Sequence, residues 1–317
     1  MQRCHGRKEV NHVSSADLAI PSVDLSSTKS VAEISEACRQ HGFFFVRNHG
    51  VPVDLVASAF EETRKFYLQP LGEKIKFNAS VASQFLGYRS LGREKSTSHT
   101  GGEACEQYRI GRTTGALASG RSADFYHEPF RQCAALFERM TVLGDRIFSA
   151  CVEGLALSGD SFAPYMKSPM HRLGLNYYKV GYGAEIANTV DYAMSPHVDH
   201  AIFTVIAQDE PGLEVQSYSG SWIHVPAATD ALFVFLGDYA QRWTNGAYRS
   251  ALHRVGPVPV DRISIQYKHR PSYSTVVAPL DPFVDEENPP RYDPFDTGSL
   301  YESLLESLLG GPEAAPR

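Results

Sequence analysis

The ten residues from Ser195 to Thr204, SPHVDHAIFT, place His197, Asp199 and His200 within four positions, just ahead of β-branched and aromatic side chains. The stretch is too apolar for a surface loop and too polar for an ordinary core strand. It reads either as a strand end carrying metal ligands or as a hairpin edge with incidental polar groups. Side chains two apart on a strand point the same way. On one continuous strand His197 and Asp199 share a face, and Val198 and His200 take the other. His253, in the separate segment SALHRV, is a candidate third ligand. Two imidazoles and one carboxylate on one face of an octahedron leave three positions open. That arrangement suits iron(II), because O2 and a bidentate co-substrate need those positions.

A single His-x-Asp is weak evidence, and DRISIQYKHR strengthens it. Arg262 and Ser264 share one strand face there. An inward guanidinium needs an anion, since an unpaired buried charge is costly. A carboxylate held by the Arg fork and a Ser hydroxyl meets that need. Barrel, triad and inward Arg together describe a pocket for an oxo-acid that chelates iron. Gln266, Lys268 and Arg270 continue the same face. An inward Lys268 needs an anionic partner or must reach water. Lys268 is therefore expected to touch a substrate with a carboxylate or other electronegative group, a solvated strand end being the alternative. Phe203, on the Asp199 face of a continuous strand, is expected near the metal, with a core position as the alternative. His171, His200 and His224 are expected to be structural, and Asp238 to form a turn. The VGYG at Val180 to Gly183 lacks the third glycine of a dinucleotide loop.

After Pro169 the pattern has period two. HRLGLNYYKV, SPHVDHAIFTVIAQD, LEVQS, WIHVP, ALFVFLG, SALHRVGPV and RISIQYKHR read as strands separated by DEPG, SYSGS and TNG turns. Many short strands at this spacing suggest a sandwich or jelly roll. Upstream, IPSVDLSS and FFFVRNHG read as strands. SVAEISEACRQHG reads as a helix with Ser30 as N-cap, Glu33 three residues later and Gly42 as its stop. DLVASAFEETRKFYLQ reads as an amphipathic helix ending before Pro70, and PFRQCAALFERMTVLGDRIFSACVEGLAL as the longest helix. Ala79 to Gly120 is expected to be a long loop region with the strand-like pieces QFLGYRS and CEQYRIG, a place where specificity often lives. GSLYESLLESLLG closes the chain as a helix before the tail GGPEAAPR, expected to fray.

At 317 residues there is enough chain for a sizeable core, and the net charge of −6 leaves no basic footprint for nucleic acid. No apolar run approaches a membrane span, and the first residues lack the apolar core of a secretory signal. Cys4, Cys38, Cys105, Cys133 and Cys151 are scattered without a C-x-x-C. They read as reduced thiols of a cytoplasmic protein.

In family order, IPSVDLSS, ACRQHGFFFVRNHGV, NYY, HVDHAIFTVIAQDEPGLEVQ, WIHVP, GDYAQRWTNGAYRSALHRV and RISIQY run from about residue 19 to 305. In this the chain resembles the isopenicillin N synthase-like group of iron(II)/2-oxoglutarate-dependent dioxygenases. The resemblance implies a mainly β fold with flanking helices and a double-stranded β-helix (jelly-roll) core. Residues 1–168 would form an N-terminal α/β region, 169–280 the oxygenase core and 281–317 a C-terminal helical extension. It implies His197, Asp199 and His253 as iron ligands, Arg262 and Ser264 as the clamp on 2-oxoglutarate, and Asn176 and Tyr178 beside the co-substrate. Tyr108 and Ile110 match positions that line the substrate pocket in plant flavonoid members. The cofactors implied are Fe(II), 2-oxoglutarate and O2, with no catalytic residue beyond the metal site. Oxidative decarboxylation to succinate and CO2 would power hydroxylation, desaturation or ring formation on a small molecule, in specialised metabolism. No nucleic acid or membrane partner is expected, and the chain is expected to be a monomer or weak homo-oligomer. A cousin that keeps the iron site and Arg-x-Ser pair without using 2-oxoglutarate is the alternative. A non-catalytic jelly-roll binder would be expected to have lost a ligand. The chain departs from the group at Phe235-Leu236 before Gly237-Asp238, at Lys179 in place of a proline, and at Gly174 in place of a basic residue, which would enlarge the substrate pocket.

Overall fold

The computed structural model describes residues 20–80, 83–93, 102–113, 125–185 and 192–309; the expected fraying tail and parts of the Ala79 to Gly120 segment lie outside the described residues. The chain enters through β1 (Ser22–Asp24), α1 (Ser30–Gln40), β2 (Phe43–Arg47), α2 (Val53–Tyr67) and a short α3 (Leu71–Lys74). β3 (Gly87–Arg89), β4 (Glu106–Arg112) and β5 (Phe125–Tyr126) precede the long α4 (Gln132–Gly154). The strand-rich half runs β6 (Arg172–Tyr178), α5 (Tyr182–Glu185), β7 (Met194–His197), β8 (Phe203–Gln208), β9 (Leu213–Gln216), β10 (Trp222–His224) and β11 (Ala231–Leu236). After α6 (Asp238–Trp243) come β12 (His253–Val255), β13 (Arg262–His269), the pair β14 (Val276–Val277) and β15 (Phe295–Asp296), and α7 (Thr297–Leu309).

Two sheets form the sandwich. The larger runs β1-β2-β11-β8-β13-β6-β4-β3, with β5 on β4; the smaller runs β10-β9-β12-β7. This is the expected mainly β, jelly-roll arrangement with flanking helices. The N-terminal strands extend both edges of the larger sheet: β2 pairs with β11, and β4 with β6. The outer face of that sheet carries Leu173, Leu175, Val205, Val234, Ile263, Ile265 and Tyr267 into one apolar core beneath the helices. Helix α4 rests on α1, α2 and β13. Leu136, Met140, Leu143 and Ile147 recur along α4 at helical spacing, which is why that stripe is buried. A smaller core between the sheets holds Phe43, Ile206, Leu213, Val215, Phe233 and Phe235.

Two local expectations change. Ser30 is the first residue of α1 rather than its cap; Lys29 takes that place, with no capping side chain. SPHVDHAIFTVIAQD is two strands, not one: β7 ends at His197 and β8 starts at Phe203. Gly42, with φ +78, ends α1 as expected. The four described cysteines, Cys38, Cys105, Cys133 and Cys151, are free and buried. Among the described residues no helix is long and apolar enough to cross a membrane.

Candidate metal centre

His197 and His253 face each other as direct partners across the β7–β12 ladder, with ring centroids 4.2 Å apart. Their Nδ1 atoms lie 2.7 Å from Ser195 O and 3.1 Å from Ala251 O. A carbonyl only accepts, so each Nδ1 carries the proton and each Nε2 presents a lone pair. Asp199 is brought to them by the turn that follows β7. Its Oδ1 lies 3.7 Å from His197 Nε2 and 3.9 Å from His253 Nε2. One ion about 2.1 Å from each donor allows separations up to about 4.2 Å, so the three groups can share a cation. Thr204 donates to Asp199 Oδ2 and orients the carboxylate.

The turn is held from below. Asp238 N donates to Asp199 O at 3.0 Å, and the Asp238 carboxylate meets His200 Nδ1 at 2.9 Å. His200 thus points away from the triad, and Asp238 anchors the turn. Gly237 lies directly beneath: a Cβ there would stand 2.1 Å from Ala201 O and 2.6 Å from Asp199 O.

Burial pushes the Asp199 carboxyl up, but the Lys268 ammonium and the two imidazoles outweigh it and hold it far below the usual range. Burial, with His197 beside it, pushes His253 down to about 3. The centre at neutral pH is therefore an anion facing a neutral His253 imidazole.

A cleft lined by residues of both sheets, about 450 Å³ with its opening to solvent included, lies at this point. Its floor is read directly from the register of β4, β6, β13 and β8, since paired residues share a face. Tyr178 pairs with Arg262; Gln107, Asn176, Ser264 and Gln208 form the next row. Arg109, Gly174, Gln266 and Ile206 follow, then Gly111, Arg172, Lys268 and Thr204. Arg262 is fully buried beneath the Tyr178 ring, its guanidinium carbon 4.9 Å from the centroid. Its Nε donates to Glu210 O at 3.1 Å and Nη2 to Gln208 Oε1 at 2.7 Å, while Nη1 has no partner. Burial lowers the pKa of this guanidinium, yet an arginine keeps its proton in proteins, so an unfilled cationic donor faces the cavity. That fits a dicarboxylate with one end on the metal and the other here. Asn176 donates to the Tyr178 hydroxyl at 3.0 Å and accepts from Gln107 at 2.8 Å, which fixes the wall.

His197, His253, Arg262, Ser264, Asn176, Tyr178 and Lys268 line one cavity, Asn176 and Tyr178 where the resemblance implied, and Asp199 stands within 4 Å of both imidazoles. Three other expectations are corrected. Tyr108 and Ile110 lie on the outer face of β4, in the core beneath the helices; Tyr108 packs on Phe66 and Phe130 and donates to Glu128 O. The cavity-facing residues of β4 are Gln107 and, by register, Arg109. Phe203 stacks on His269 at 4.8 Å, also on the outer face. The break between β7 and β8 resets the alternation, so Thr204 rather than Phe203 approaches Asp199. Gln208 and Gln107 were not singled out from sequence; alternation from Ser264 and Asn176 across the ladders finds both. Lys268 does face inward, and its Nζ lies 2.7 Å from Asp199 Oδ1, the anion it needed. A second His and Asp group, Asp145, His171 and His269, meets where α4 packs on the sheet.

Residues 20–128 match the family described as non-haem dioxygenase in morphine synthesis N-terminal, and residues 169–271 match the 2OG-Fe(II) oxygenase superfamily. Jasmonate-induced oxygenase 2 of Arabidopsis thaliana is 30% identical over 286 residues, 87% of this chain and 75% of that protein. Flavanone 3-dioxygenase 2 of Oryza sativa subsp. japonica is 28% identical over 304 residues, 93% of this chain and 86% of that one. The crystal structure of JOX2 in complex with 2OG, Fe and JA superposes with TM-score 0.74 at 30% identity, covering 90% of this chain and 84% of that one. A full-length Neurospora crassa protein crystallised in complex with alpha-KG shares the fold at TM-score 0.77 and 23% identity, covering 92% and 98%. Likeness of this extent, over the N-terminal strands and the sandwich alike, is common descent, and the chain belongs to the 2OG-Fe(II) oxygenase superfamily.

Proposed function

We propose that His197, Asp199 and His253 hold the Fe(II) of this oxygenase, and that Arg262 and Ser264 grip the distal carboxylate of its 2-oxoglutarate, in the oxidation of a small molecule of specialised metabolism. The observation that carries the reading is the unpartnered Nη1 of a fully buried Arg262, on the same cavity as the three donors. Leaving such a donor unmet costs about 1–3 kcal/mol or more, which an acidic co-substrate recovers. When bound, iron supplies the activation of O2 that decarboxylates 2-oxoglutarate to succinate and oxidises the substrate.

The protein's own part is positional. Two backbone carbonyls fix the imidazole tautomers, and Thr204 fixes the carboxylate. Tyr178 and Asn176 wall the co-substrate channel. Met194, Ile206, Leu213, Phe235 and Val255 line the rest of the cavity with apolar surface that excludes water. The names of the relatives, which include a flavanone dioxygenase, a jasmonate-induced oxygenase and a gibberellin 20 oxidase, support a small-molecule substrate.

The test is succinate release by purified protein given Fe(II), 2-oxoglutarate and O2 across a panel of small metabolites. Turnover by wild type and its loss in Asp199→Ala are expected. Iron-dependent substrate oxidation without succinate would favour the cousin that does not use 2-oxoglutarate.

A further inference from the structure

We propose that Gln208 is a positioning residue for 2-oxoglutarate: its amide holds the Arg262 guanidinium in place and leaves the positive charge undiminished for the co-substrate. The proposal rests on the reading of Arg262 as the co-substrate clamp and deepens it.

Gln208 closes β8 and is the direct partner of Ser264 across the β8–β13 ladder. It is buried, and it stands behind Arg262: Arg262 and Ser264 line the cleft, and Gln208 does not. Both ends of its amide are engaged. Oε1 accepts from Arg262 Nη2 at 2.7 Å, and Nε2 donates to Val225 O at 2.8 Å, just past β10. A guanidinium only donates and a carbonyl only accepts, so these neighbours fix which way the amide faces. Val225 is itself tied to the smaller sheet, its N–H donating to Leu213 O at 2.9 Å. Gln208 therefore anchors Arg262 across the sandwich.

The turn that follows completes the hold. Glu210 O accepts from Arg262 Nε at 3.1 Å. Gly212, at φ +147, lies against the arm of the side chain: a Cβ there would stand 3.1 Å from Arg262 Cδ and 3.2 Å from Nε. With Nε and Nη2 met by the protein, Nη1 is the end left without a partner.

The described groups that meet this cation are all neutral: an amide oxygen, a backbone carbonyl and the Tyr178 ring. The Asp209 carboxylate also acts on Arg262, but its oxygens are engaged elsewhere. Oδ2 pairs with Arg64 at 2.5 Å, and Oδ1 accepts from Ile263 N at 2.7 Å. A carboxylate at position 208 would form an ion pair with Arg262 and cancel the charge that a dicarboxylate needs. An aliphatic side chain there would leave Nη2 and Val225 O unmet. Glutamine avoids both.

The test uses the full chain with Mn(II) and compares 2-oxoglutarate with 2-oxopentanoate. The second acid keeps the chelating oxo-acid and the carbon count but lacks the distal carboxylate. Calorimetry gives both affinities, and that of Mn(II) alone, for wild type, Gln208→Glu and Gln208→Met. The ratio of the two oxo-acid affinities reads the Arg262 end, and general damage to the fold would not move it. Wild type is expected to favour 2-oxoglutarate at least about tenfold, the scale of a charge-assisted hydrogen bond. Gln208→Glu is expected to bring the ratio close to one, with Mn(II) and 2-oxopentanoate bound as in wild type. Gln208→Met is expected to lower it about three- to tenfold, because the charge stays and only the hold is lost. An unchanged ratio in either variant, or 2-oxopentanoate weakened as much as 2-oxoglutarate in both, would overturn the proposal. Should the Glu variant not fold, the Met variant decides. A wild type that binds both acids equally would count against Arg262 as the clamp, and the role of Gln208 would fall with it.

Discussion

Arg262 carries the most consequential charge in the site. It is fully buried, and one of its donors waits for an anion. Arg262→Met is expected to weaken 2-oxoglutarate roughly 10- to 100-fold, the scale of a charge-assisted hydrogen bond. Arg262→Lys is expected to recover only part, because an ammonium lacks the fork; the 2-oxoglutarate dependence of succinate release measures both. Lys268 makes a different prediction. Its ammonium shares Asp199 Oδ1 with the place where the proposed cation would sit between the imidazoles. Lys268→Met is expected to tighten Mn(II) binding several-fold by removing a like charge, and a weaker affinity in calorimetry would count against that placement. Which side chains gather at the candidate site was largely legible from residue type: His197, Asp199, His253, Arg262 and Ser264 all needed partners that a core does not offer, and they meet at one place. Tyr108, Ile110 and Phe203 were not legible, because an aromatic or aliphatic residue on a strand buried on both faces suits either side equally.

The strand-rich half was legible at the level of elements because turn residues punctuate a period-two pattern, and its strands fall where that pattern places them. The turn between β7 and β8 was hidden. Its residues Val198, Ala201 and Ile202 are apolar, so the sequence runs on as though one strand continued. What makes the turn is remote in sequence: the backbone N–H of Asp238 and the bare Cα of Gly237. Gly237→Ala is accordingly expected to push the turn outward, costing about 1–3 kcal/mol of stability as an overpacked site does. Thermal unfolding of the metal-free protein reads that loss, and a parallel fall in Mn(II) affinity is expected because Asp199 moves with the turn. Unchanged metal affinity would mean that the turn does not position the carboxylate.

Over the whole molecule, the helices and the N-terminal strands complete a sandwich whose two buried layers serve different ends. The outer layer is apolar core under α4, and the inner layer holds a smaller apolar core and the candidate site. The outer layer also holds His171 and His269, whose rings stack at 4.3 Å. Burial pushes His171 down to about 3, and burial with His171 beside it holds His269 well below its ordinary value. The unfolded chain therefore takes up protons that the folded one refuses. Stability is full above about pH 6.5 and is lost as pH falls towards 3, at up to about 1.4 kcal/mol per pH unit for each histidine. Chemical denaturation of the metal-free protein from pH 7 to pH 4 is expected to show that decline, and a flat profile would contradict it. The family and its frame could be read from the sequence; the rows that set Gln107 and Gln208 beside Asn176 and Ser264 could not, since they exist only once β4, β6, β13 and β8 are in register. The most direct measurement of the central claim is a crystal structure grown without oxygen in the presence of Mn(II) and 2-oxoglutarate. The expected result is one ion about 2.1 Å from His197 Nε2, Asp199 Oδ1 and His253 Nε2, with the far carboxylate on Arg262 Nη1. An ion held instead by Asp145, His171 and His269, or a 2-oxoglutarate that leaves Arg262 unpaired, would contradict it.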